Sequence, residues 1–175
     1  QLQDTDRLLT SISKQSYPKI KTYIVDDGST DRTYEFIRLK YKDTIILKGN
    51  GNLWWTGSIY WEAEEILKIA KTGDYILTVN NDCTFGKEFV SILLRTALKN
   101  IKSIIGSLAI DSIDRQTITD AGVNLDWSRC RLIPLGPKFI REISKNTDTI
   151  NVDTLSTKGT LYPIDVFHKV GNFDK

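Results

Sequence analysis

The chain has 175 residues, enough for one domain with a sizeable core. Apolar residues make up 40% and charged residues 26%, and 24 basic against 22 acidic side chains leave a net charge of +2. With no long basic block, that balance argues against a nucleic-acid partner, and no apolar run approaches the roughly 18 residues that span a bilayer.

Helix-like and strand-like stretches alternate from the start. Residues 5–17 place Leu8, Leu9 and Ile12 on one helical face, and Pro18 breaks the pattern. Residues 21–25 read as a buried strand, 31–42 as a helix with Tyr34, Ile37 and Tyr41 on one stripe, and 43–48 as a strand. Residues 58–73 predict a strong helix, with Ile59, Ala63, Ile66, Leu67 and Ala70 at helical spacing and Gly73 as its cap. A strand over 74–79, a helix over 87–100 and a strand over 102–110 follow. This order is the signature of an α/β fold with a mostly parallel sheet flanked by helices. Beyond residue 110 the pattern changes: 117–136 reads as a β-hairpin in the C-terminal third, 144–153 as a mobile loop, and 160–175 as a segment with a short helix.

Two cysteines, Cys83 and Cys130, lack CxxC spacing, which fits reduced thiols and a cytoplasmic setting. The single histidine, His168, has no metal or triad pattern around it, and no signal peptide is visible. The chain opens inside a helical pattern and contains no methionine, so the expectation is one truncated domain without its first strand. An exposed gap in a sheet would invite pairing with a second copy, so a homodimer is one expectation.

Asp26 and Asp27 stand at the carboxyl end of the first strand, where open α/β sheets bind ligands. Gly28 allows a tight turn, and Ser29, Thr30 and Asp31 are natural N-cap residues. Turn and cap chemistry would need one acid; a pair points to a ligand that offers donors or a cation. At the next such strand end, Asn80, Asn81 and Asp82 offer oxygen atoms. They suit Mg²⁺ or Mn²⁺, or else an Asx-rich turn that caps the following helix. Between these lies "KGNGNLWWTGSIYWE", residues 48–62, a Gly- and Asn-rich approach to a helix that can present backbone N–H groups to phosphate. Trp54 and Trp55 cannot both enter one core face, so either one lines a pocket or both serve as core and rim packing.

"VDDGSTDRT" followed by "VNNDCTF" resembles the family 2 glycosyltransferases of the A-type (GT-A, Rossmann-like) fold, and most closely their bacterial rhamnosyltransferase-like members. The resemblance covers nearly the whole chain; each motif alone is weak, and their order is what is specific. It implies sugar transfer from a nucleotide-diphosphate donor, a UDP- or dTDP-sugar, to a hydroxyl of a glycan or lipid-linked acceptor. It implies inversion at the anomeric centre and a metal on the donor diphosphate. Carried over by position, Asp26, Asp27, Gly28 and Ser29 are the nucleotide-binding stretch, and Asn50, Asn52, Trp54, Trp55 and Gly57 shape the donor pocket. Asp82 with Asn80 is the metal site. This chain departs from the pattern at Asn80, where the first acid of Asp-x-Asp stands. Gly159, Phe173 and Asp174 match the acceptor-side segment. The family's general base lies beyond Phe-Asp, hence beyond Lys175, which implies poor turnover by this chain. Such an enzyme would act in the cytoplasm or at the inner face of the membrane.

Two rivals exist. Receiver domains also hold Mg²⁺ with an acidic pair and an Asp that accepts a phosphoryl group, but they need a Lys after a later strand, where this chain has Asp111. A nucleotidyltransferase would want a Gly- and Arg/Lys-rich phosphate loop near its start, and none is present.

Overall fold

The computed structural model describes residues 2–136, 138–139 and 149–174. The chain divides into two compact units. The first comprises Gln1–Ile76, Asn81–Ser103 and Tyr162–Lys175; the second comprises Leu77–Asn80 and Ile104–Leu161.

The first unit begins with α1 (Leu2–Ser13), which buries Thr5, Leu8 and Leu9. It stops well short of Pro18 because Gln15 intervenes: its Nε2 donates to Ser11 O, and its Oε1 accepts the distant Val90 N–H. Strand β1 (Tyr23–Asp26) is followed by α2 (Thr33–Lys40) and β2 (Ile45–Lys48). β1 and β2 pair in parallel, from Tyr23 opposite Ile45 to Asp26 opposite Lys48. The helical crossover is what allows two consecutive strands to run the same way. Thr33 and Ile37, four apart, are the buried face of α2. Tyr41, just beyond it, donates to Asp6 of α1 at 2.5 Å, and Lys40 reaches the same carboxylate at 2.6 Å.

Helix α3 (Trp54–Leu67) precedes β3 (Tyr75–Thr78), and α4 (Phe89–Lys99) buries Val90, Leu93 and Ala97 at helical spacing. α3 ends at Leu67, earlier than the spacing predicts, because Asp74 folds a turn by accepting Lys71 N–H at 2.8 Å. A core of Ala63, Ile76, Ile164 and Phe167 forms where α3 meets α5 (Ile164–Val170), with Ile66, Leu67, Ala70, Tyr162 and Phe173 packed around it.

In the second unit the strands are short: β4 (Ile105–Gly106), β5 (Ala109–Ile110), β6 (Thr117–Asp120), β7 (Val123–Asp126), β8 (Arg131–Pro134) and β9 (Lys138–Phe139). β10 (Thr160–Pro163), like β3, contributes residues to both units. The sheets are β1-β2, β3-β10-β4, β5-β6-β9 and β7-β8. The pairs β10–β4, β5–β6, β6–β9 and β7–β8 are all antiparallel.

The mixed α/β content matches expectation, and the hairpin expected over 117–136 contains the β7–β8 pair. The mostly parallel sheet is corrected: most pairings are antiparallel and the sheets are small. For β5–β6 and β7–β8 the physical reason is connection length: their short turns join only antiparallel neighbours. The single strand expected over 102–110 breaks into β4 and β5, between which Ser107 N–H donates to Gly159 O at 2.9 Å. Of the loop expected over 144–153, residues 144–148 lie outside the described residues. No helix among the described residues is long and apolar enough to cross a membrane.

Candidate functional site

The two acids at the end of β1 do different work. Asp26 is 5% exposed, and its Oδ1 accepts Ser29 N–H at 3.1 Å, closing the turn through Gly28. Asp27 turns toward residues 49–54. Its Oδ1 accepts Gly51 N–H at 2.6 Å, and its Oδ2 accepts Leu53 N–H at 2.8 Å and Trp54 N–H at 3.2 Å. The last two are donors that a helix start leaves unsatisfied. Leu53 occupies the N-cap position of α3 with no side-chain cap of its own, so Asp27, just beyond β1, caps the helix from a distant part of the chain. Partial burial alone would raise the Asp27 pKa; the N–H groups of Gly51, Leu53, Trp54 and Asn52 outweigh it and hold the carboxyl below its ordinary value.

Glycines make the approach of the two loops feasible. Gly28 has φ +81°, and a Cβ there would lie 3.2 Å from the Gly51 Cα. Gly49 N–H donates to Asp26 O at 2.9 Å. A Cβ on Gly49 would run into the Asp27 Oδ1 and come within 2.8 Å of Leu53 Cδ1. Asn50 Oδ1 accepts Asn52 N–H at 3.1 Å, an Asx turn, and Asn52 is exposed. Gly57 N–H donates to Leu53 O at 3.0 Å in the first turn of α3, and Ser58 Oγ donates to Trp54 O at 2.6 Å.

Trp54 and Trp55 are the first residues of α3 and are 81% and 55% exposed, so neither is core packing. Trp54 has φ +54°, the left-handed region, which is costly for a bulky residue. Trp54→Gly removes that strain, about 1–2 kcal/mol. Urea unfolding should therefore show no loss of stability, whereas a core tryptophan would lose far more on truncation.

The other expected site residues fall in both units. Asp82 belongs to the first unit and is exposed; its Oδ1 has a long contact from the Cys83 thiol at 3.8 Å. Asn80 belongs to the second unit, and its Oδ1 already accepts the Thr157 hydroxyl at 3.1 Å. No cluster of three or more His, Cys, Asp or Glu side chains that could hold a metal occurs among the described residues. The donor set at Asp82 therefore fits a divalent cation only as a single carboxylate foothold, with phosphate and water completing the shell. Gly159, in the second unit, is buried with φ +103°, and its N–H donates to Thr78 O at 3.0 Å. Phe173 belongs to the first unit's aromatic cluster, edge-on to Tyr162 at 5.5 Å and to Phe167 at 5.3 Å. Asp174 is exposed.

Two residues outside the expected set bear on the site. Gly49 lies against Asp27, as above. Glu62, on α3, accepts Val25 N–H at 2.8 Å, one residue before the acidic pair. Burial raises its carboxyl from 4.5 to about 7, although the Val25 N–H bond works the other way. The signal was present in the sequence: Glu62 sits three residues after Ile59 and four before Ile66, inside the apolar stripe of the helix.

Among solved structures, a crystal structure of S. aureus TarS, residues 1–349, is similar with a TM-score of 0.53 and 20% identity. The match covers 94% of this chain and 44% of that one, so the chain spans under half the length of that structure. At that identity the likeness bears on the fold alone. Among curated proteins, none matches the chain. The receiver-like and nucleotidyltransferase readings gain no support from these comparisons. A family profile described as Glycosyl transferase family 2 matches residues 2–171, nearly the whole chain. The chain therefore belongs to glycosyl transferase family 2.

Proposed function

We propose that the chain holds the nucleotide-diphosphate donor of a sugar transferase at the carboxyl end of β1 and the start of α3. The observation that carries this is the folding of the glycine-rich residues 49–54 onto Asp27, which gathers backbone N–H groups at a helix N-terminus. Asp27 already takes those N–H groups, so the loop presents a carboxylate, which suits the hydrogen-bond donors of a nucleotide's base or ribose. The exposed faces of Trp54 and Trp55 beside it suit packing against a sugar or base. In this reading Asp27 organises the binding loop, and Asp26 and Ser29 hold the neighbouring turn. The donor is a UDP- or dTDP-sugar and the transfer is of the rhamnosyl or hexosyl kind, to a glycan or lipid-linked hydroxyl with inversion. Synthesis of a cell-surface polysaccharide at the inner face of the membrane is the fitting setting.

Asp82 would hold Mg²⁺ or Mn²⁺ together with the donor, and a cation there would offset the charge that develops on the departing diphosphate. None of the residues described above is assigned as the base that takes the acceptor's proton.

Thermal unfolding with UDP, dTDP, GDP and CDP, each with and without Mn²⁺, tests this reading. A nucleotide at ten times its Kd adds about 1.4 kcal/mol. One nucleotide should raise the midpoint in a Mn²⁺-dependent way, and Asp82→Ala should abolish the metal dependence. No shift with any of the four contradicts the proposal.

A further inference from the structure

We infer that Glu62 is a positioning residue of the donor site: by accepting Val25 N–H it holds the middle of α3 on β1 while Asp27 holds the helix's N-terminus. The inference rests on the donor-site reading above and adds to it a residue that touches no donor.

The backbone geometry explains why Val25 offers its N–H. In the parallel β1–β2 ladder, Ile45 N–H donates to Thr22 O and Gly49 N–H to Asp26 O, both at 2.9 Å. Alternate residues of β1 thus face β2, and Val25 faces the opposite edge, where the Glu62 carboxylate meets it at 2.8 Å. The Asp27 contact lies at Trp54 and this one at Glu62, eight residues along the same helix, or about 12 Å. Two anchors that far apart fix the direction of α3 as well as its position. They attach to β1 on either side of Asp26, so the acidic pair, the loop over 49–54 and the two tryptophans are held as one frame.

A simple packing role does not call for a carboxylate. The position lies in the apolar stripe, where leucine would fill the space without burying a charge. The raised pKa of Glu62 is the sign of that burial. The group is retained where it bonds the strand that carries the site.

The test compares Glu62→Gln, which keeps the acceptor, with Glu62→Leu, which keeps the bulk; Glu62→Ala replaces the latter if it does not fold. Titration with UDP and dTDP in the presence of Mn²⁺ measures affinity, urea unfolding at pH 8 measures stability, and amide exchange without nucleotide reads residues 25 and 51–54. The Gln variant should bind within about threefold of wild type, and the Leu variant about tenfold more weakly. The Leu variant should lose no stability at pH 8, and its amides at Gly51, Leu53 and Trp54 should exchange faster together with Val25. A merely structural residue would move affinity and stability in the same direction. Faster exchange confined to Val25, or unchanged affinity in the Leu variant, overturns the inference and leaves the donor reading standing. Absence of nucleotide binding by wild type overturns the donor reading, and the role of Glu62 in it with it.

Discussion

Gly49→Ala should lose about 1–3 kcal/mol of stability and most of the affinity for nucleotide. The reason is local and steric. A methyl group at this position points at the Asp27 carboxylate, and it would also lie 2.8 Å from Leu53 Cδ1 and 3.1 Å from the Asp27 Cα. One of these neighbours is backbone, so rotating a flexible side chain does not relieve the contact. If Asp27 moves, Gly51, Leu53 and Trp54 lose the acceptor that gathers their N–H groups. Gly86→Ala is the control: nothing lies within 4 Å of a Cβ there, and its effect should stay within about 0.5 kcal/mol. Urea unfolding of both variants decides the matter; equal midpoints would contradict the packing described here.

Glu62→Gln should stabilise the chain, and by an amount that depends on pH. The Glu62 carboxyl is raised by burial from 4.5 to about 7 in the folded chain, so between those values the folded state binds more protons than the unfolded state. Stability contributed by the protonated acid is fully present below about pH 4.5 and is lost as pH rises through about 7. Glutamine accepts the same Val25 N–H without a charge to bury. The variant should match wild type near pH 4.5 and exceed it by about 3 kcal/mol at pH 8. Urea unfolding at the two pH values measures the difference directly. A gap of the same size at both would show that ionisation of Glu62 is not its source.

The sequence revealed features written in neighbouring residues. The helices follow from spacing such as Leu8 with Ile12 or Leu93 with Ala97, and the ends of β1 and β3 from the polar residues that break their apolar runs. Asp26 and Asp27 were legible as a marked strand end; that both acids serve backbone groups was not, Asp26 in a turn to Ser29 and Asp27 in a cap to Leu53 and Trp54. What escaped was non-local. β10 pairs with β4 across more than fifty residues, Leu161 opposite Ile105, and nothing in its own four residues announces that partner. The Asp27 carboxylate reaches backbone groups 24 to 27 residues away, so its capping role emerges only once α3 is placed beside β1. The two tryptophans read as a pair that precedes a helix; the structure makes them its first turn, because the cap comes from Asp27 beyond the end of β1.

The most direct test of the donor site is amide hydrogen exchange of the intact chain, alone and with saturating UDP or dTDP plus Mn²⁺. Protection should rise at residues 26–29 and 49–57 with one of the two nucleotides, and fall back in Gly49→Ala. Protection that changes nowhere, or only within the second unit at 104–161, would contradict the assignment of the donor site to β1 and α3.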